Sequence, residues 1–200
     1  MPLIYTNRKG KANFFRAAKT AKGAIRYYVT KSADFPDLID EVPEGYEIYE
    51  EPCEARVVLR KIVPSLVTKE EIELVRKAVE KLSDLNDFFI EGEAGEIIIW
   101  VSQFNSISGM EDNLTHEEAI EEHGTRVTTW MRYFDDFKFA LFDEKERTFV
   151  AVRRVLLSFG HGEYMPLKEG VGSLAKLTKK FCPYMGNDTY FNTVPEGFEN

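Results

Sequence analysis

Gly170-Val171-Gly172-Ser173-Leu174-Ala175 fits the pattern GxGxxA. In that pattern glycines let the backbone approach a pyrophosphate, and exposed amides at a helix start attract anions. A dinucleotide site also needs a second parallel strand carrying a ribose-binding acid about 20 residues later. At that distance this chain has Phe191-Asn192-Thr193-Val194 instead. The pattern therefore reads as a glycine turn with Ser173 as helix N-cap, leaving a lone anion at Gly170, Gly172 and Ser173 as the chemical alternative.

Histidines offer acid–base or metal chemistry. His116-Glu117-Glu118-Ala119-Ile120 begins like a zinc protease motif, but Ile120 stands where the second histidine is needed. His123 follows His116 by seven positions, roughly 10 Å along a helix axis, which suits one metal poorly. Glu117, Glu118, Glu121 and Glu122 around them read as a solvated helix face, and no metal site is predicted. His161, between Gly160 and Gly162, could present an imidazole as a general base; an exposed turn accounts for it equally. An enzyme built on His161 or on the His116/His123 helix is one reading of the chain.

Nucleophiles are harder to find. There is no GxSxG pattern, no P-loop and no kinase signature. Cys53 sits in a Pro-Cys-Glu turn among acids, and Cys182 near a helix end, both settings that disfavour a thiolate. Asp135-Asp136 and Glu50-Glu51 are adjacent, and neighbours on an extended chain point to opposite sides, so they read as surface acids rather than proton-sharing pairs. Trp100 and Trp130 lie in apolar segments and read as core. No cofactor is implied.

The elements that would position these residues can be read from periodicity and turn chemistry. Asn13 to Thr20 and Ala24 to Thr30 form a hairpin about Ala21-Lys22-Gly23, where glycine permits a positive φ. Tyr46 to Glu50 and Ala55 to Val63 form a second hairpin, entered through the turn Val42-Pro43-Glu44-Gly45. Thr68-Lys69-Glu70-Glu71 is a capping box, and Ile72, Val75, Val79 and Leu82 follow at helical spacing, predicting a helix over 68–83. Phe88 to Glu91 with Glu96 to Gln103, and Phe137 to Asp143 with Thr148 to Leu157, are two further hairpins, and Tyr164 to Leu167 is a short strand. Thr115 caps a helix over 115–133, weakened at Gly124, and Ser173 to Cys182 is the last helix, closed by Pro183. Short connections between strands require antiparallel pairing. The predicted class is α+β: antiparallel hairpins with three helices in a single domain over 1–200, or in two lobes, 1–103 and 114–200, joined by the polar loop 104–113.

At 44% hydrophobic composition the chain can bury a core without disulfides or metals. Met1 to Lys9 has no signal-peptide core, and the strongest apolar run, Ile97 to Val101, is too short to span a bilayer. Two cysteines without a CxxC pair favour a reducing compartment, so a cytoplasmic location is expected, with no membrane association.

Charge supplies the strongest pointer to a partner. The net charge is −8, yet residues 1–33 hold eight bases and no acid, while residues 34–200 hold 18 bases and all 34 acids, a formal charge of −16. Alternation puts Phe14, Arg16 and Ala18 on one face of the first hairpin, with Arg26 and Tyr28 outward if Ile25, Tyr27 and Val29 face the core. With Lys19 and Lys22 at the tip, this basic aromatic hairpin predicts a non-enzymatic binding or self-association protein that meets an acidic partner. The alternative is single-stranded nucleic acid, with guanidinium groups and rings stacking bases; the acidic body opposes a long polyanion.

Overall fold

The computed structural model describes residues 1–105, 107, 114–124, 132–156 and 162–197, with Leu156 by its backbone. It has antiparallel sheets and helices, an α+β architecture of hairpins as the sequence predicts. Contacts divide the chain into two compact units: Met1–Val63 with His123–Arg132, and Pro64–Glu122 with Tyr133–Asn200.

The first unit holds a three-stranded sheet and a separate two-stranded one. β1 (Ile4–Thr6), β2 (Ala12–Lys19) and β3 (Ile25–Thr30) pair in sequence order, and β4 (Tyr46–Glu50) pairs with β5 (Val57–Lys61). β1 is too short to show a period and escapes sequence reading. Polar contacts fasten the sheets together: the Tyr5 hydroxyl donates to Glu50 Oε2 (3.0 Å), Asn7 Nδ2 to the Ala55 carbonyl (2.8 Å), and Arg8 Nη1 to Glu50 Oε1 (2.8 Å). Phe15, Ala55 and Val57 are buried, and the Tyr27 ring meets Tyr46 edge-on at 4.8 Å.

The second unit is a five-stranded antiparallel meander: β6 (Phe88–Glu93), β7 (Glu96–Ser102), β8 (Tyr133–Asp143), β9 (Thr148–Leu156) and β10 (Gly162–Ser173), each beside its neighbour in sequence. The two-residue period buries Ile97, Ile99 and Val101 of β7, Phe137 and Phe139 of β8, and Phe149 and Ala151 of β9. They pack in one core with Val75 and Val79 of helix α1 (Lys69–Leu82) and Leu174, Leu177 and Phe181 of α3 (Leu174–Phe181). Trp100 is buried too, and its Nε1 donates to Glu91 Oε2 (2.9 Å).

α1 begins as predicted. Thr68 Oγ1 accepts from the Glu71 amide (3.3 Å) while Glu71 Oε2 accepts from the Thr68 amide (2.8 Å). The predicted helix over 115–133 is shorter. α2 spans His116–His123 and stops before Gly124, whose φ of +77° an L-residue adopts at a cost. Tyr133 and Phe134 belong to β8; Val127, Trp130 and Met131 lie outside the described residues. The final helix has Ser173 at its N-cap without a side-chain capping bond, and a 3-10 turn over Cys182–Tyr184 continues it.

Of the polar segment 104–113, predicted to join two lobes, residues 106 and 108–113 lie outside the described residues; β7 before it and β8 after α2 are hydrogen-bonded neighbours in one sheet. Among the described residues, no helix is long and apolar enough to cross a membrane.

Candidate functional site

The hairpin β2–β3 forms about the expected turn, and its faces alternate as expected. Arg16 lies opposite Tyr28 and Ala18 opposite Arg26 on one face; Phe15 lies opposite Val29 and Ala17 opposite Tyr27 on the other. Phe15 is buried, which commits its face inward and leaves Tyr28 (47% exposed) and Arg26 outward. Ile25 departs from expectation: at the open end of the inward face it is 53% exposed, because it pairs with exposed Lys19 beside the turn. The turn closes through Thr20 N to Ala24 O (2.8 Å) and Gly23 N to Thr20 O (2.9 Å), with Gly23 at φ +82°.

The bases of this segment split into two groups. Arg16 forks onto Asp37, Nε to Oδ1 at 2.7 Å and Nη2 to Oδ2 at 2.9 Å, and its guanidinium lies 3.7 Å from the Phe35 ring centre. The hydrogen bond from Arg16 holds the Asp37 carboxyl below its ordinary pKa. Arg8 is bound to Glu50, and Lys31 Nζ to Asn13 Oδ1. Lys19, Lys22 and Arg26 are exposed at the tip with no ion pair among the described residues. Phe14 is half-buried. The broad platform of guanidinium groups and rings expected from alternation is therefore reduced to Arg26 and Tyr28, because Asp37 and Phe35, distant in sequence, occupy Arg16.

Gly170 and Gly172 lie inside β10, with Val171 opposite Val150 and Gly172 opposite Phe149, rather than in a turn before the helix. β10 uses five steps from Pro166 to Val171 where β9 uses two, from Val152 to Val150. The extra residues leave the ladder to meet another segment, Lys168 N donating to Val194 O (2.9 Å). A Cβ on Gly170 would stand 2.6 Å from the Leu167 carbonyl oxygen, so close packing of backbone explains that glycine.

His116 and His123 are exposed on α2, and His161 lies outside the described residues. Among the described residues no three His, Cys, Asp or Glu side chains gather in a metal-binding arrangement. Neither cysteine is in a disulfide, and burial pushes the Cys182 thiol up to about 12.

The second unit also contains a cleft of about 530 Å³ lined by Ile107, Phe134, Asp136, Arg153, Arg154, Val155, Tyr190 and Phe191. Its acidic side lies at a β-bulge. Between its pairings with Ile99 and Val101, two steps apart, β8 takes three steps, from Phe137 to Phe134. Asp135 and Asp136 fall within this bulge and lie in different surroundings. Asp135 pairs with Arg154 (3.6 Å), and its carbonyl accepts from the Tyr164 hydroxyl (2.5 Å). Asp136 lines the cleft, where burial raises its pKa; Arg154 draws it down and Asp135 pushes it up. Its carboxyl has no hydrogen-bond or ion-pair partner among the described residues. Alternation along an extended strand predicts this pair to be surface acids. The doublet was visible, but the bulge beneath it depends on cross-strand register.

The chain matches no family model, no curated protein and no solved structure.

Proposed function

We propose that this is a non-enzymatic binding protein that docks the tip of its basic hairpin on an acidic protein surface, a second copy of the chain being one such surface. The observation that carries the reading is the division of labour among its bases. Arg8 and Arg16 are committed to carboxylates within their own unit, while Lys19, Lys22 and Arg26 surround a tip with exposed Ile25 and Tyr28 and have no acid paired with them among the described residues. An acidic surface would complement those cations and cover the apolar side chains between them. Residues 34–200 supply acid in excess, at −16, which suits self-association. Loss of Arg16 from the outward platform weighs against base stacking as the main mode. Two thiols outside any disulfide fit a reducing, cytoplasmic setting.

The test uses Lys19→Glu/Lys22→Glu/Arg26→Glu, sparing Arg16 because it anchors Asp37. Sedimentation of the protein alone, and retention of the protein on immobilised poly-L-glutamate, should both show salt-sensitive association that weakens about tenfold or more in the triple variant. Equal behaviour of variant and wild type refutes the reading. Tighter binding to a single-stranded oligonucleotide than to polyglutamate refutes it in favour of nucleic acid.

A further inference from the structure

The cleft in the second unit is chemically incomplete in a specific way. Four ionisable side chains gather at or beside it: Asp135 and Asp136 from the β8 bulge, and Arg153 and Arg154 from β9. Asp135 and Arg154 pair with each other at 3.6 Å. The remaining two, Asp136 and Arg153, share the cleft without an ion pair to each other or to any described residue. Arg153 is partly satisfied: Nη1 donates to the Tyr190 carbonyl (3.3 Å) and to Thr193 Oγ1 (3.2 Å), and the guanidinium lies 5.3 Å from the Tyr190 ring centre. Its Nε is buried without an acceptor. Among the described residues no carboxylate pairs with Arg153, and no hydrogen-bond donor reaches the Asp136 carboxyl.

Around these two charges the wall is apolar. Phe134 is 36% exposed and Phe191 58%, with Ile107 and Val155 beside them. Tyr190 is buried, and its hydroxyl donates to the Asp136 carbonyl (3.5 Å). The volume, about 530 Å³, falls in the range of small-molecule sites, and mostly apolar walls with a few convergent polar groups are their usual composition.

We infer that this cleft binds a small zwitterion with an apolar side chain, the chemistry of a free apolar α-amino acid, its ammonium on Asp136, its carboxylate on Arg153 and its side chain against Phe134 and Phe191. The reason is charge balance under desolvation. A monoamine would satisfy Asp136 and leave Arg153 without a counter-charge; a monocarboxylate would do the reverse. A site whose polar groups are left unpaired rejects the incomplete ligand far more strongly than a hydrophobic wall rejects a missing methylene. A zwitterion completes both charges and leaves the local balance at zero. This site uses no residue of the hairpin and stands or falls apart from the docking proposal.

The probe is L-phenylalanine, titrated calorimetrically into the full chain beside 2-phenylethylamine, which lacks the carboxylate, and 3-phenylpropionate, which lacks the ammonium. Phenylalanine should bind at least about tenfold tighter than either fragment. In Asp136→Asn its affinity should fall by a similar factor while that of 3-phenylpropionate does not. The inference is overturned if either fragment equals phenylalanine in the wild type, if Asp136→Asn leaves phenylalanine affinity unchanged, or if no heat is seen with phenylalanine or leucine up to about 10 mM. The fragment series needs only wild-type protein, so it decides the matter even if the variant misfolds.

Discussion

Gly170 and Gly172 stand two residues apart in one strand, yet alanine should be costly at the first and tolerated at the second. At Gly170 a new Cβ would be 2.6 Å from Leu167 O, 3.1 Å from Ala151 O and 3.2 Å from Leu167 C. Ordinary contacts at a Cβ begin near 3.4 Å, so the carbonyl of Leu167 must retreat by most of an ångström. These are backbone atoms fixed on both sides, because Ala151 belongs to β9 and Leu167 bridges to Pro195. Overpacking of this kind costs about 1–3 kcal/mol. At Gly172 the nearest atom is Lys176 Cδ at 3.6 Å, the flexible end of an exposed side chain. There alanine fits, and reduced freedom of the unfolded chain contributes about 0.4–1 kcal/mol of stability. Urea unfolding followed by far-UV circular dichroism measures both. Gly170→Ala should lower the midpoint at constant slope, and Gly172→Ala should leave it equal or raise it. The steric account is refuted if Gly170→Ala falls within about 0.5 kcal/mol of wild type, or if Gly172→Ala is equally costly.

Asp136 gives a pH-dependent prediction. Its folded pKa is raised from 3.8 by burial, against the pull of Arg154, so the folded chain holds that proton more tightly than the unfolded one. The fold is therefore penalised as pH rises above 3.8, fully so above the folded pKa. Asp136→Asn should raise thermal stability at about pH 7 and match wild type at about pH 3; a destabilised variant at neutral pH would contradict this. Glu71 closes the capping box and also binds Arg147 through Nε (2.9 Å), so Glu71→Ala should destabilise by about 1–3 kcal/mol in urea, more than Thr68→Ala at about 1 kcal/mol. The reverse order would show that the Arg147 contact contributes little. Cys182, buried with its thiol raised to about 12, should resist a thiol-specific disulfide reagent in the native state and react on unfolding, counted by absorbance; rapid native labelling of Cys182 would contradict the burial.

Local chemistry was legible wherever a few adjacent residues carry it. The capping box at Thr68–Glu71 and the apolar spacing behind it announce α1, and the paired apolar runs around Gly23, Ala94-Gly95 and Glu144 to Glu146 announce three hairpins. The same local rules misread α2, whose apolar stripe continues past Gly124 to Phe134, a residue that β8 claims through its pairing with Val101. Arg16 illustrates the limit for a site. Its outward direction follows from alternation, but its occupation by Asp37, 21 residues away, does not.

The sequence by itself determined the α+β class, the antiparallel pairing and the concentration of bases in the first 33 residues, since each depends on short-range periodicity, connection length or counting. Tertiary structure alone decided which of those bases have partners, and it alone made the cleft. Ile107, Asp136, Arg153 and Phe191 come from four separate segments, and a one-residue bulge in β8 sets how Asp135 and Asp136 are presented beside β9. A bulge is a property of register between strands, set by the packing of both neighbours, and no window of adjacent residues encodes it.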